Sequence, residues 1–283
     1  MISLHFAGYQ PARSVHTRAL HALRESVARA QGALAIAVTD SVVATGHRSA
    51  DLLAMVENGN IDGCYFASSY LAARVPQLGL FDHPFRAGSR EQLFANLDGE
   101  VGAALAADVA TVTNYRVLGW WDNGIRHISN AVRPIRTPAD CIGLRLRTLD
   151  SAQHQAAFRR LGFHPMFIDV ADLSRAVAER TVDAQENPLT NLINFNLHVH
   201  HRHVSLTGHL LGIAPLLVNR ARFDALQGED RRILVAAAAE STTIQRSLAL
   251  VEDAECLRLL KAAGVAVVAA EAIDLRAFRA AAE

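Results

Sequence analysis

Pro134-Ile135-Arg136-Thr137-Pro138-Ala139-Asp140-Cys141-Ile142-Gly143-Leu144-Arg145-Leu146-Arg147 is the stretch that decides how this chain folds. Thr137 can cap a short helix with Pro138 in its first position. Asp140, three residues after the cap, sits near the positive end of the helix dipole. Gly143 closes that turn. Leu144 to Thr148 then alternate apolar and basic with period two, the pattern of a strand. Leu144 and Leu146 share one face, Arg145 and Arg147 the other. Ligands of open α/β sheets bind at the carboxyl ends of strands, which places Arg147 where a guanidinium can face a crevice. From spacing alone, solvation or a surface partner is the commoner fate of both arginines, because charged residues are mostly exposed.

Two further stretches change that weighting: Val182-Asp183-Ala184-Gln185-Glu186-Asn187-Pro188, after a short amphipathic run, and Ser205-Leu206-Thr207-Gly208-His209. In combination with the first, they give the chain a pattern that resembles the solute-binding proteins of TRAP transporters. These are extracytoplasmic receptors that capture small organic acids for a sodium-driven permease. The likeness runs over most of the chain, from the opening strand and helix to the long C-terminal helix. It implies a two-domain α/β fold of the type II periplasmic-binding class, with crossing strands and a long C-terminal helix that spans both domains. The domains expected are 1–122 with about 210–245, and 123–209 with about 246–283.

Composition narrows the alternatives. The 283 residues suffice for a buried core, in one large domain or two smaller ones. Twenty-eight basic and 28 acidic residues cancel, so no basic surface invites nucleic acid or acidic membranes. No apolar run reaches the eighteen or so residues of a membrane span. Cys64, Cys141 and Cys256 have no CxxC spacing, and their odd number argues against a disulfide framework. Lys261 is the only lysine, which leaves little room for Schiff-base chemistry. Met1 to Phe6 already read as a strand, without the basic and cleavage regions of a signal peptide. Either an export segment has been trimmed or the protein is cytoplasmic; only the resemblance favours the first, and with it a periplasmic location.

Along the chain, Leu4 to Gly8 reads as a strand, and Ser14 caps a helix with Leu20, Leu23, Val27 and Ala30 on one side. Leu34 to Val38 is a continuous apolar run, as expected of a strand covered on both faces. A helix from Ser49 to Glu57, a strand from Ile61 to Phe66, one helix near Ser89 to Ala107 and a strand from Tyr115 to Trp121 follow. This order argues for a parallel, helix-covered sheet. Beyond Trp121 come the strand ending at Arg147, a helix from Ser151 to about Leu161, a strand near Met166 and a helix from Asp172 to Arg180. Leu216 to Val218 reads as a strand returning to the first unit. From Asp230 to Ala263 no Gly or Pro interrupts a helical pattern carried by Ile233, Ala237, Ile244, Leu248, Val251 and Leu260; the alternative is two helices with a bend near Ser241-Thr242-Thr243.

For the site, the resemblance makes Arg147 the main carboxylate ligand, and a guanidinium fork matches a carboxylate bidentately. It suggests Arg126 as a second basic residue, and Asn187 as a ligand-facing residue whose plain alternative is a helix cap before Pro188. Asn123, in the turn-like Asn123-Gly124 pair, and Trp121, as an apolar wall, are further candidates, each with a purely structural alternative. Tyr9 and Ser68, after the first and third strands, belong to the opposite wall. Ser68 stands where the family's sialic-acid branch has an acidic residue, which argues against a sialic-acid-like ligand.

His198, His200, His201 and His203 suggest metal, but no HExxH motif, cysteine pair or nearby acid accompanies them, and no metal site is expected. No cofactor is implied. GxGxxG, GxxxxGK[ST] and GxSxG are absent, and no nucleophile, base and orienter set stands out. The function that the resemblance implies is a monomeric, non-enzymatic receptor. It would bind a hydroxy, keto or sugar acid between two domains and pass it to the membrane subunits of a TRAP permease. The alternatives are a cytoplasmic organic-acid-sensing domain and an enzyme acting on a carboxylate.

Overall fold

Strands and helices alternate from the start of the chain. The computed structural model describes residues 2–86 and 88–283. In chain order the elements are β1 (Ile2–Ala7), α1 (Val15–Arg29), β2 (Leu34–Thr39), α2 (Asp51–Glu57), β3 (Gly63–Tyr65), α3 (Arg90–Asp98), α4 (Glu100–Val112), β4 (Tyr115–Asn130), β5 (Arg145–Thr148), α5 (Ala152–Arg160), β6 (His164–Phe167), α6 (Val170–Ala178), β7 (Ala184–Pro188), α7 (Leu189–Asn194), β8 (His203–Asn219), α8 (Arg220–Asp224), α9 (Gly228–Ala262), β9 (Ala266–Val268) and α10 (Leu275–Ala282). Packing divides them into two compact units. The first holds Met1–Ser68, Glu91–Asp122 and Ile213–Leu250; the second holds Ser69–Arg90, Asn123–Gly212 and Val251–Glu283. β4, β8 and α9 contribute residues to both.

In the first unit β1 lies between β2 and β3 and parallel to both, with Ile2 opposite Leu34 and Phe6 opposite Gly63. β3 runs antiparallel to the second half of β8, with Gly63 opposite Val218. The Ser14 hydroxyl accepts the Thr17 N–H at 3.1 Å and starts α1, a cap worth about 1 kcal/mol. Leu20, Leu23 and Val27 of α1 are buried. β2 differs from the expectation of cover on both faces: Leu34 and Ile36 are buried but Ala37 is exposed. It pairs with β1 alone, and its other face carries Ala35, Ala37 and Thr39. The single helix expected near Ser89 to Ala107 is two helices, broken at Gly99. A methyl group on Gly102 would stand 1.8 Å from the Leu97 carbonyl oxygen, so the second helix starts against the last turn of the first.

α9 is one continuous helix of 35 residues, not two, about 50 Å long. Its buried seam matches the one expected only in part: Ala237 and Leu260 are buried, but Val251 is 65% exposed, and Leu234, Ala238, Ser241, Thr242 and Gln245 are buried as well. The polar members of that seam serve the backbone around them: Ser241 donates to the Ala19 carbonyl at 2.8 Å, and Gln245 brackets Asp122, accepting its N–H and donating to its carbonyl. Apolar spacing alone could not reveal a seam made partly of hydrogen bonds.

In the second unit β7 lies between β4, antiparallel to it, and β5, parallel to it; β6 continues the sheet beyond β5. β9 pairs with the first half of β8. β4 is far longer than expected. The Asn123-Gly124 pair, which reads as a turn, lies inside the strand, where Gly124 takes a positive φ of 83°. A side chain there would also crowd Pro188, 2.7 Å away. Ile128, Leu144, Leu146, Phe158, Phe163 and Phe278 are among the residues of this unit's main core, and each large apolar side chain contributes about 1.5–3 kcal/mol. Residues 69–90, which the expected boundaries leave in the first domain, pack in this unit. His154 Nδ1 donates to the Asp82 carbonyl at 3.2 Å, and Phe85 packs tilted against Phe278 with centroids 5.7 Å apart.

Candidate functional site

The candidate residues of the second unit sit where β4, β7 and β5 run side by side. The turn at Pro138–Cys141 is held by Asp140, whose carboxylate accepts the N–H groups of Arg136 and Thr137, both at 2.9 Å. Gly143 then takes a left-handed conformation and β5 begins. The two arginines that share a face of β5 meet different fates. Arg145 is exposed and held bidentately by Asp183, at 2.9 and 2.8 Å. Arg147 is 2% exposed, and its Nε donates to the Ile168 carbonyl at 2.8 Å, which orients the guanidinium plane. Its terminal nitrogens, Nη1 and Nη2, meet no acceptor among the described residues. Burial lowers its pKa, opposed by the fields of Tyr70, Glu186 and Asp169 and assisted by that of Arg126.

Arg126, expected as a second basic ligand, is already matched within the protein. Its Nε meets Glu186 Oε2 at 2.5 Å, and its Nη2 meets Glu186 Oε1 at 2.8 Å, the Glu186 carbonyl at 2.6 Å and Asn187 Oδ1 at 3.2 Å. Both partners are buried. Burial would raise the Glu186 pKa, but the neighbouring Arg126 guanidinium and His154 outweigh it and hold the carboxylate well below its usual range. His154 Nε2 and His209 Nε2 stand 3.3 and 3.2 Å from the two oxygens of Glu186, and Thr207 bonds the other His209 nitrogen at 2.7 Å. Glu186 is thus the hub of a buried cluster. Its signal in the sequence was an acid inside an otherwise neutral strand motif.

Asn187 belongs to β7 and does not cap a helix. Its Oδ1 accepts from Arg126 and from Asn191 Nδ2 at 2.9 Å, and its Nδ2 donates to Gln185. Asn123 is buried, with its Cβ 3.2 Å from the position a methyl group on Gly212 would take. In the first unit, Trp121 has no exposed surface and donates its indole N–H to Thr242 at 3.2 Å, as a core tryptophan does. Tyr9 packs against Tyr65 and Phe66, with centroids 5.3 and 5.1 Å away, and Ser68 is buried.

The histidine run does not converge. His201 is bonded to Ser129, and His198 to the Leu192 carbonyl. Among the described residues the trio with metal-ligand spacing is His154, Glu186 and His209. Both oxygens of Glu186 are engaged by Arg126, whose positive charge opposes a cation there.

Burial lowers the pKa of His16, His201 and His209 to about 4 and that of His127 to about 3, from an ordinary 6.5. The folded state keeps these rings neutral where the unfolded chain would protonate them. Their contribution is therefore complete above about pH 6.5 and is lost as the pH falls toward 4, at about 1.4 kcal/mol per unit of pKa difference. The melting temperature is expected to fall steadily from pH 7 to pH 4.5 in circular-dichroism melts. A flat profile across that window would contradict the burial of these rings as neutral groups.

Two α/β units that share β4, β8 and α9 give the chain the fold of a solute-binding protein of the type II periplasmic-binding class. Residues 6–283 match DctP, the bacterial extracellular solute-binding proteins of family 7, and the chain belongs to that family. It is 32% identical over 227 residues to the 2,3-diketo-L-gulonate-binding periplasmic protein YiaO of Escherichia coli, which covers 80% of this chain and 68% of that protein. The chain spans about two thirds of the length of such relatives. Among solved structures, a TRAP periplasmic solute-binding protein of Polaromonas sp. JS666 bound to D-erythronate is 26% identical, with a TM-score of 0.93 over 100% of this chain and 92% of that one. One from Roseobacter denitrificans with bound β-D-glucuronate is also 26% identical, with a TM-score of 0.92 over 99% and 91%.

Proposed function

We propose that this protein is a periplasmic receptor for a small hydroxy, keto or sugar acid, which it delivers to the membrane subunits of a TRAP-type permease. The observation that carries the reading is Arg147: buried, oriented through its Nε, and with two terminal NH2 groups offered to no acceptor among the described residues. Burying a charge unpaired is costly, and a ligand carboxylate is the partner that a planar fork fits. Tyr9, Ser68, Asn123 and Asn187 are proposed as neutral ligand contacts. Arg126 is proposed to act beside Arg147, with its own charge already balanced. The relatives that bind 2,3-diketo-L-gulonate, D-erythronate and β-D-glucuronate support an acid with oxygen substituents near the carboxylate.

The test is a thermal-shift panel of hydroxy, keto and sugar acids, dicarboxylates and amino acids, with mass spectrometry of any acid that co-purifies. A ligand at one hundred times its Kd adds about 2.7 kcal/mol, which in a chain of this size raises the melting temperature by about 5–10 °C. Hydroxy, keto or sugar acids are expected to give that shift and amino acids none, because Glu186 is already matched by Arg126 and so is no open partner for an ammonium group. Stabilisation by amino acids alone would overturn the assignment. Recovery of a chemically altered acid after incubation would favour an enzyme.

A further inference from the structure

A line of buried side chains in the second unit starts at Arg126 and ends at His201, and its direction is set at the first step. A guanidinium only donates, so Asn187 must turn its Oδ1 toward Arg126 Nη2, 3.2 Å away, and toward Asn191 Nδ2 at 2.9 Å. Its Nδ2 then donates to Gln185 Oε1. Gln185 in turn donates its Nε2–H to Ser129 Oγ at 2.6 Å, across the β4–β7 pair where the two residues stand opposite each other. The Ser129 hydroxyl, having accepted that bond, has its own proton to place, and His201 Nδ1 lies 3.1 Å from it. Ser129, Gln185 and His201 are fully buried and Asn187 is 2% exposed. His201 Nε2 meets no partner among the described residues, so the line ends at this ring.

We propose that His201 is a positioning residue for the ligand: Arg126 sets which way the Asn187 amide faces, and His201, as the terminal acceptor, anchors Ser129 and Gln185 so that the Asn187 N–H is held in place for an acceptor oxygen, carboxylate or keto, in the ligand. This rests on the assignment of Asn187 to the acid-binding site. With Oδ1 occupied twice and one Nδ2 hydrogen given to Gln185, the second Nδ2 hydrogen is what Asn187 has left to offer. The opposite polarity, with Nδ1–H donating to Ser129, would orphan both the hydroxyl proton and the Nε2 lone pair among the described residues, whereas this one orphans the Nε2–H alone. Burial keeps the His201 ring neutral, with a pKa of about 4, as a terminal acceptor requires.

The test combines calorimetry, with D-erythronate and D-glucuronate as titrants, and nitrogen NMR of the His201 ring in the full chain. His201→Leu is expected to weaken binding on the order of fivefold, the worth of one buried hydrogen bond. His201→Asn, whose amide oxygen can take the Ser129 proton, should stay within about twofold of the native chain. In an Asn187→Ala background, His201→Leu should cause no further loss, since the two act through one group. The ring is expected as the Nε2–H tautomer. The proposal is overturned by an Nδ1–H tautomer, by a His201→Leu loss that persists in full in the Asn187→Ala background, or by a lower melting temperature with unchanged affinity. An unchanged affinity in Asn187→Ala itself would instead remove Asn187 from the site, and failure of both acids to bind while an amino acid does would overturn the receptor reading.

Discussion

Arg147→Ala is expected to abolish high-affinity binding while leaving the unliganded fold intact. Truncating one partner of a buried charge pair costs about 2–5 kcal/mol, which is thirtyfold to several-thousandfold in Kd. The unliganded variant should melt at the native temperature or higher, because among the described residues the guanidinium it removes makes one hydrogen bond, to Ile168, and pairs with no carboxylate. That combination separates a ligand arginine from a structural one, whose loss would lower stability and affinity together. Arg147→Lys should recover only part of the affinity, since a point charge cannot reproduce a bidentate fork. Calorimetry with the acid that stabilises the native chain most reads the effect. A loss smaller than threefold would take Arg147 out of the site.

The second large effect is expected at Glu186, and it falls on stability. Glu186→Ala leaves the Arg126 guanidinium buried with only the Glu186 carbonyl and the Asn187 side-chain oxygen for company. Breaking a buried ion pair from one side costs about 3–5 kcal/mol, which lowers the melting temperature of a chain this size by roughly 6–20 °C. Removing both charges together, as Arg126→Met with Glu186→Leu, should recover much of that loss, because a buried pair is often replaced by apolar residues of similar volume at little cost. The double variant should still bind acids poorly, since nothing then holds Asn187 Oδ1 from the Arg126 side. Chemical denaturation of the two single variants and the double variant closes the cycle. A Glu186→Ala chain within about 1 kcal/mol of the native one would mean that Arg126 finds another acceptor.

The local devices of the fold were legible in the residues themselves. Ser14 and Ser151 cap α1 and α5 as their positions suggest, and the Thr137 to Asp140 turn forms ahead of β5. The uninterrupted helix α9 was visible from the absence of Gly and Pro over its length. Each of these is decided by a few neighbouring residues. Gly99 was the local signal passed over: a lone glycine in an apolar helical pattern is usually tolerated, and here it separates α3 from α4.

The strand carrying Arg147 was thus determined by the sequence alone, because periodicity and turn chemistry act over ten residues or fewer, while the two-domain fold class came from the resemblance of the motifs in combination. Tertiary structure decided what the arginines do. Arg145 and Arg147 carry the same pattern on the same strand. Asp183, 38 residues on from Arg145, holds that residue at the surface, while among the described residues Arg147 finds only the Ile168 carbonyl as a hydrogen-bond acceptor. Arg126 reads like Arg147 along the chain, yet Glu186, 60 residues away, meets its charge because β4 and β7 are paired. A side chain's alternation records which face it takes; whether its charge is satisfied depends on residues that only the folded sheet brings to within 3 Å.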